Sequence, residues 1–260
     1  MAEVEIQLER LTSPEVRERI ASGWKTVVFG CGSIEQHGPH LPLSVDAVIA
    51  EETASAVLEA VGNEVDLWLL PTLSVSKSNE HAWSPGTLWL SAETMLRVLD
   101  DLAACVATTP ARRLVLLNGH GGNTSLLGSA CRDIRVAHGL LTFLTHPSTP
   151  PASGGSSTEE ELGMGIHGGL RETSVFAYLR PGQVDMDRAV RRVPEWLADN
   201  TWVRFGGAVQ FGWTSRDFGP DGHIGDPTGA NPELGKELFE HSVTALADQL
   251  REISRFDYPG

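Results

Sequence analysis

The chain is poor in cysteine and has no long apolar run. Its three cysteines are Cys31, Cys105 and Cys131, and they form no Cys-x-x-Cys pair. This spacing predicts reduced thiols in or near the core rather than a disulfide framework. No stretch approaches the roughly 20 apolar residues of a membrane span, and the N-terminus lacks the pattern of a secretory signal. We therefore expect a cytoplasmic protein that binds no membrane.

Basic residues are also few: 20 Lys and Arg oppose 34 Asp and Glu, which gives a net charge of −14. Such a surface repels phosphate backbones and anionic lipids, so we expect no nucleic-acid partner. A hydrophobic fraction of 41% in 260 residues is typical of a globular protein. We expect one domain over residues 1–260, interrupted at 147–160 by a loop rich in Pro, Gly and Ser. That loop is interpreted as mobile, with a lid or a subunit contact as the alternatives.

Strand and helix patterns alternate along the first part of the chain. Apolar, β-favouring runs predict strands at 26–30, 65–70, 113–117 and 140–144. Helical periodicity predicts helices at 47–61, 91–107 and 124–137, with a short helix after Ser13 and a long one from the Asn231 cap to about Ile253. This order predicts an α/β fold, a largely parallel sheet flanked by helices, with ligands bound at the carboxyl ends of the strands.

Two short segments, Gly32–Asp46 and Asn118–Asn123, concentrate carboxylates, imidazoles and glycines. Glu35 and His37 lie two residues apart, so in an extended segment both side chains point to one side and each can meet one of two neighbouring cations. Asp46 can then close the site. Glycine and proline between these residues favour a rigid backbone of the kind that metal ligands require. The segments are therefore typical of a metal hydrolase.

The motifs together resemble those of the creatininase (creatinine amidohydrolase) family. They are GSIEQHGPHLPLSVDAVIAEE from Gly32, NGHGGN from Asn118, HGGLRETS from His167, Glu80-His81 with Pro85-Gly86-Thr87, and Gly225-Asp226-Pro227. The resemblance implies a single α/β domain with a two-metal site that hydrolyses a carbon–nitrogen bond of an amide-like substrate. It also implies a homo-oligomer, commonly a hexamer.

The same resemblance assigns the metal ligands. It implies that Glu35 and His120 serve one cation, that His37 serves the other, and that Asp46 bridges both. Creatinine-hydrolysing enzymes carry a His-Tyr-Glu-Asn pattern, and this chain has Gly122 in place of its glutamate. The resemblance implies that Glu172 supplies the missing carboxylate. Nitrogen and oxygen ligands fit two divalent ions, either zinc, manganese or iron.

His167 and Glu172 are the predicted catalytic residues. We expect His167 to protonate the leaving nitrogen, a role that suits a histidine with a pKa near neutrality. Six further residues are expected to contact substrate, with packing or loop architecture as the alternative for Trp83 and His223. The full set is Glu80, His81, Trp83, Gly121, Gly122 and His223.

The predicted reaction is amide hydrolysis by a hydroxide that bridges two cations. The leading prediction is a small cyclic amide or lactam-like substrate. Gly122 departs from the creatinine-hydrolysing pattern, which counts against creatinine itself, and this form of the loop resembles the formamide- and peptide-cleaving members of the family more. A formamide attached to a nucleotide precursor and a short peptide are the alternatives within the family. No Arg or Lys cluster accompanies the motifs to hold a phosphate. A catalytically silent metal-binding scaffold is the alternative outside enzymes.

Overall fold

The computed structural model describes residues 7–23, 25–61, 64–147 and 159–259. Most of the predicted loop at 147–160 lies outside these residues. The strands are β1 (Thr26–Cys31), β2 (Leu67–Leu73), β3 (Arg113–Asn118) and β4 (Leu141–Thr145). The helices are α1 (Ser13–Ala21), α2 (Val45–Val61), α3 (Ala92–Ala107), α4 (Thr124–His138), α5 (Leu170–Leu179) and α6 (Pro232–Arg255).

Within the described ranges, the four strands form one parallel sheet in the order β2-β1-β3-β4. The chain leaves β1 for β2 on one side and returns to β3 on the other, so the strand order reverses beside β1. Cys31 at the end of β1 pairs with Leu73 of β2 and Asn118 of β3. The carboxyl ends of these strands therefore open at one edge, where α/β proteins commonly bind ligands.

Both faces of the sheet are covered, as expected for parallel strands. On one face, Phe29 and Leu116 pack with α3 and α4 through Leu99 and Leu127. On the other face, Val28, Leu69 and Val115 pack with apolar residues of α2 and α6. Adjacent residues of β1 thus pack into opposite helical layers. Because the sheet is held on both faces, the loops that follow its strands have fixed positions.

The α/β class, the parallel sheet and the nine predicted helices and strands are present, α5 is additional, and several bounds differ. Helix α2 begins at Val45, so Asp46 lies in its first turn and not in the preceding loop. Helix α1 begins at Ser13, and the preceding Thr12 forms a capping box with Glu15. Asn231 caps α6 as predicted, and Ser91 caps α3. No helix in the described part of the chain is long and apolar enough to cross a membrane.

Candidate metal centre

The segment after β1 carries Glu35 and His37, both fully buried. It is fixed at Glu35, whose backbone N–H donates to the Leu43 carbonyl at 2.9 Å. Gly38 then turns the chain with φ +76°, and a Cβ there would lie only 2.8 Å from Nδ1 of His223. Glycine is therefore required at this position for both conformation and space.

His37 points one ring nitrogen into the site. Its Nδ1 lies 3.1 Å from the Glu35 carbonyl oxygen, which can only accept, so Nδ1 carries the hydrogen. Nε2 then faces Asp46 Oδ1 at 3.2 Å and Glu172 Oε1 at 3.7 Å. A histidine held in this way presents the lone pair that a metal ligand needs.

Asp46 lies between the two motif histidines. Its Oδ1 faces His37 Nε2, and its Oδ2 lies 2.9 Å from His120 Nδ1. His120 follows β3, and the same Nδ1 lies 3.3 Å from Glu35 Oε2. Its backbone N–H donates to Asn118 Oδ1 at 3.2 Å, which holds the loop in place. One carboxylate thus offers one oxygen to each side of the site.

Glu172 enters from the first turn of α5. Its Oε2 accepts a hydrogen bond from Gly168 N–H at 2.6 Å, and its Oε1 faces His37. The Glu172 side chain is 27% exposed, while those of His37 and Asp46 are 0% and 3% exposed. Glu172 therefore lies on the solvent side of the site.

The ligand atoms form groups compact enough to hold an ion. Candidate donor atoms lie within 4.8 Å of one another in three sets: Glu35, Asp46 and His120; His37, Asp46 and Glu172; Glu35, His37 and His167. Both carboxylate oxygens of Glu35 and Oδ2 of Asp46 are buried without a hydrogen bond of normal geometry from described residues. Buried anionic oxygens without such donors are costly unless a cation compensates them, so these residues fit a divalent metal.

The electrostatics of the site agree with this fit. Burial raises the pKa of Glu35 to about 8, against the opposing effect of His120. Burial would also raise the pKa of Asp46, but His37 and a hydrogen bond from His120 hold it below its usual range. Burial would lower the pKa of His37 and His120, but neighbouring carboxylates raise both well above the ordinary value. Protons on these imidazoles balance the carboxylates, and a metal would replace them.

His167 is brought to the site but not in the ionisation state that a proton donor needs. Its Nε2 lies 2.6 Å from the Gln36 carbonyl oxygen, and its ring lies 4.2 Å from that of His37 between centroids. Burial, with the charges of His37 and His81, holds the pKa of His167 well below its ordinary value. The expected near-neutral pKa is therefore wrong, because the ring is packed among other imidazoles. A ring with a pKa this low is neutral at pH 7, so it holds a proton only transiently.

Two residues expected to contact substrate lie deeper than a substrate contact implies. Glu80 is 9% exposed and pairs with Lys77 at 2.7 Å, and His81 is 2% exposed. His81 Nδ1 lies 2.8 Å from the side-chain nitrogen of Gln36, and Nε2 lies 3.3 Å from Glu35 Oε1. Burial lowers the pKa of His81 to about 3. Both side chains therefore support the candidate ligands.

Of the other residues predicted to contact substrate, some are exposed at the edge of the site and others are buried. Gly121 is exposed, with no atom within 4 Å of the place a Cβ would occupy. Trp83 is half-buried, and its Nε1 donates to Ser215 Oγ at 2.7 Å. His223 is fully buried and lies 2.7 Å from the Val190 carbonyl oxygen through Nε2, which favours the architectural alternative. Gly122 lies beside Glu80 and His120.

Sequence reasoning did not identify Gln36 or Ser215 as site residues. The side-chain nitrogen of Gln36 lies near His81 and Ser215 and donates to the Gly222 carbonyl at 2.9 Å. This amide joins the first motif to two distant loops. Gln36 could have been predicted from its position between Glu35 and His37. Ser215 stands in no recognisable motif.

The chain is similar to known proteins along most of its length. The profile of the creatininase family, described as creatinine amidohydrolase, matches residues 9–250. A mycofactocin precursor peptide peptidase of Mycobacterium ulcerans is 32% identical over 231 residues, covering 86% of this chain and 84% of the relative. A creatinine amidohydrolase of Pseudomonas putida is 30% identical over 258 residues, covering 93% and 95%. A solved structure described as "Creatininase Mn" superimposes with a TM-score of 0.75 at 25% identity, covering 97% of this chain and 100% of that one.

A parallel sheet with buried carboxylate and imidazole side chains at its carboxyl edge is typical of a metal-dependent hydrolase. The chain belongs to the creatininase family. It is accordingly an amidohydrolase, as the motifs predicted.

Proposed function

We propose that this protein hydrolyses an amide bond of a small substrate at a centre of two divalent cations. The observation that carries the proposal is the position of Asp46, with one oxygen toward His37 and the other toward His120. Glu35 and His120 would hold one ion with Asp46, and His37 and Glu172 would hold the other. The solved creatininase described as "Creatininase Mn" supports manganese, and zinc is equally compatible with these donors.

The two proposed cations, Glu172 and His167 would have different roles in the reaction. When bound, two cations would lower the pKa of a coordinated water and polarise the substrate carbonyl. Glu172, the most exposed of the carboxylates at the site, lies where a substrate enters. His167 keeps Nδ1 unprotonated because Nε2 donates to Gln36, so Nδ1 can accept a proton and pass it to the leaving nitrogen.

A cyclic amide or lactam-like substrate is the first candidate. The imidazoles of His81 and His167 are buried within 4 Å of the Glu35 carboxylate, and this close packing favours a compact substrate. The creatinine amidohydrolase of Pseudomonas putida, which the chain matches along nearly its whole length, supports this candidate.

A short peptide is the second candidate. Gly121 leaves the rim beside His120 open, where the creatinine-hydrolysing pattern places a tyrosine. An open rim leaves room for a peptide backbone that extends beyond the scissile bond. The match to a mycofactocin precursor peptide peptidase supports this candidate.

One experiment tests both candidates. The protein, loaded with Zn²⁺ or Mn²⁺, is presented with creatinine, lactams, formamides and short peptides, and amine and acid products are measured by mass spectrometry. We expect about two ions per chain and turnover of one substrate class, lost in Glu172→Gln. Formate release would identify a deformylase instead. Two bound ions without turnover of any substrate would favour the silent scaffold, and the absence of bound metal would contradict the proposed centre.

The expected homo-oligomer belongs to the same proposal. Trp196 and Trp202 are 60% and 64% exposed, and Val203 and Val209 are also exposed. Large exposed apolar side chains in one segment favour a contact between subunits. Light scattering of the purified protein tests this, since a monomer at micromolar concentration would contradict it.

A further inference from the structure

Glu80 faces the ring nitrogen of His120 that points away from the proposed ions. His120 Nδ1 lies 2.9 Å from Asp46 Oδ2, and on the other side of the ring Nε2 lies 3.3 Å from Glu80 Oε1. Nε2 is buried and makes no hydrogen bond of normal geometry with the described residues. The Glu80 carboxylate is therefore placed as the acceptor for this N–H.

Glu80 is itself held in place. It lies in the 3-10 turn Asn79–His81 that follows β2, and its Oε2 accepts from Lys77 Nζ at 2.7 Å. Among the described residues, Glu80 belongs to none of the three groups of candidate ligand atoms. Glu80 thus lies on the side of the His120 ring that faces away from the proposed ions.

Gly122 provides the space that this carboxylate occupies. A Cβ at position 122 would overlap Glu80 Oε1 and His120 Nε2, and it would lie 2.9 Å from Glu80 Cδ. Any side chain at this position would therefore displace the carboxylate, the imidazole or both. Glycine is required here for space.

Resting on the proposed two-metal function, we propose that Glu80 is a positioning residue for His120. Its carboxylate accepts the Nε2 hydrogen, which fixes the tautomer that presents Nδ1 to Glu35 and Asp46. Carboxylates behind metal-binding histidines orient the ring and raise its basicity, and their loss weakens metal binding by about 10–100-fold. Gly122 and Glu80 form one unit, in which the glycine leaves room for the carboxylate.

Zn²⁺ affinity measured by competition with a chromophoric chelator tests the inference without relying on turnover. In the full-length protein, we expect Glu80→Gln to weaken one of two ions by about 10–100-fold and to leave the other unchanged. Glu93→Gln is the matched control, because Glu93 is an exposed glutamate in the first turn of α3. A lowered melting temperature with both Zn²⁺ affinities unchanged would mean that Glu80 is only structural, and it would overturn the inference.

A double-mutant cycle with Gly122→Ala tests the shared space. We expect Gly122→Ala to weaken Zn²⁺ binding less in a Glu80→Ala background than in the wild type, because the carboxylate it displaces is then gone. Additive losses would overturn this part of the inference. A wild-type protein that binds no Zn²⁺ would overturn the proposed function as well, whereas two tight ions in both wild type and Glu80→Gln would overturn the positioning role alone.

Discussion

Nε2 of His37 lies 3.7 Å from Oε1 of Glu172, although His37 follows the first strand and Glu172 begins a helix in the second half of the chain. Gly168 N–H donates to the other oxygen of Glu172 and orients the carboxylate toward this histidine. In the proposed centre, Glu172 would supply the carboxylate that Gly122 cannot. The second ion would then depend on the placement of α5.

Removal of the Glu172 carboxylate is expected to release one ion and keep the other. In Glu172→Ala, His37 and Asp46 lose their third partner, while Glu35, Asp46 and His120 remain together. Elemental analysis should therefore fall from about two ions per chain to about one, with turnover reduced by at least about 100-fold. Glu233→Ala, an exposed glutamate in the first turn of α6, is the matched control. Retention of both ions would contradict the assignment.

Asp46→Asn is expected to have a larger effect on metal content, because Asp46 faces both halves of the site. A neutral amide cannot balance two cations, so we expect less than one ion per chain under conditions that saturate the wild type. Glu51→Gln, an exposed position on the same helix, should retain both ions. If Asp46→Asn lost only one ion, Asp46 would be a ligand of that ion alone.

The sequence predicted the fold, and the residues that lie together in the candidate site, because their signals are local. Strands β1 and β3 are each followed directly by a motif, so Glu35, His37 and His120 could be placed at one edge of the sheet. Glu172 was accessible only through the family resemblance, because nothing in its local sequence indicates that α5 points toward β1. Gln36 and Ser215 connect loops that are far apart in the chain, and no periodic pattern in the sequence indicates such contacts.

The same limit explains the errors at particular residues. Asp46 was placed in a loop because the helical pattern is clear only from Ala47, and the first turn of a helix lacks the apolar periodicity of its interior. The pKa of His167 was expected near neutrality because the sequence does not reveal how many imidazoles surround the ring. Glu80 and His223 are buried, which favours a supporting role over contact with substrate. Burial follows from the tertiary packing, so the sequence alone could not reveal it.

His40 is expected to make the protein sensitive to mild acid. It is 2% exposed, its Nε2 lies 3.0 Å from Thr173 Oγ1, and burial, with the charges of His223 and His37, lowers its pKa from 6.5 to about 4. Between these values the unfolded chain binds a proton that the folded chain does not, so the free energy of unfolding falls as the pH falls through this window. The full effect is on the order of 3 kcal/mol.

Urea unfolding at several pH values between 6.5 and 4 measures this dependence. His40→Asn should unfold with a free energy that changes less steeply with pH than that of the wild type. His241→Asn, at an exposed position on α6, should keep the wild-type slope. Equal slopes for His40→Asn and the wild type would show that His40 is protonated in the folded protein at the same pH as in the unfolded chain.

Glu161 is expected to stabilise the loops that carry Glu172. It is 1% exposed, and its Oε1 accepts hydrogen bonds from Leu170 N–H at 3.1 Å and Asp226 N–H at 2.7 Å. A Cβ on Gly225 would lie 2.9 Å from the same oxygen, so the backbone closes tightly around this carboxylate.

In Glu161→Ala both backbone donors lose their acceptor, which costs about 2–5 kcal/mol because buried donors are left without partners. The free energy of unfolding in urea should fall by this amount, while Glu160→Ala, an exposed neighbour, should change it by less than about 0.5 kcal/mol. A loss below about 1 kcal/mol in Glu161→Ala would mean that water or another side chain replaces the carboxylate without strain.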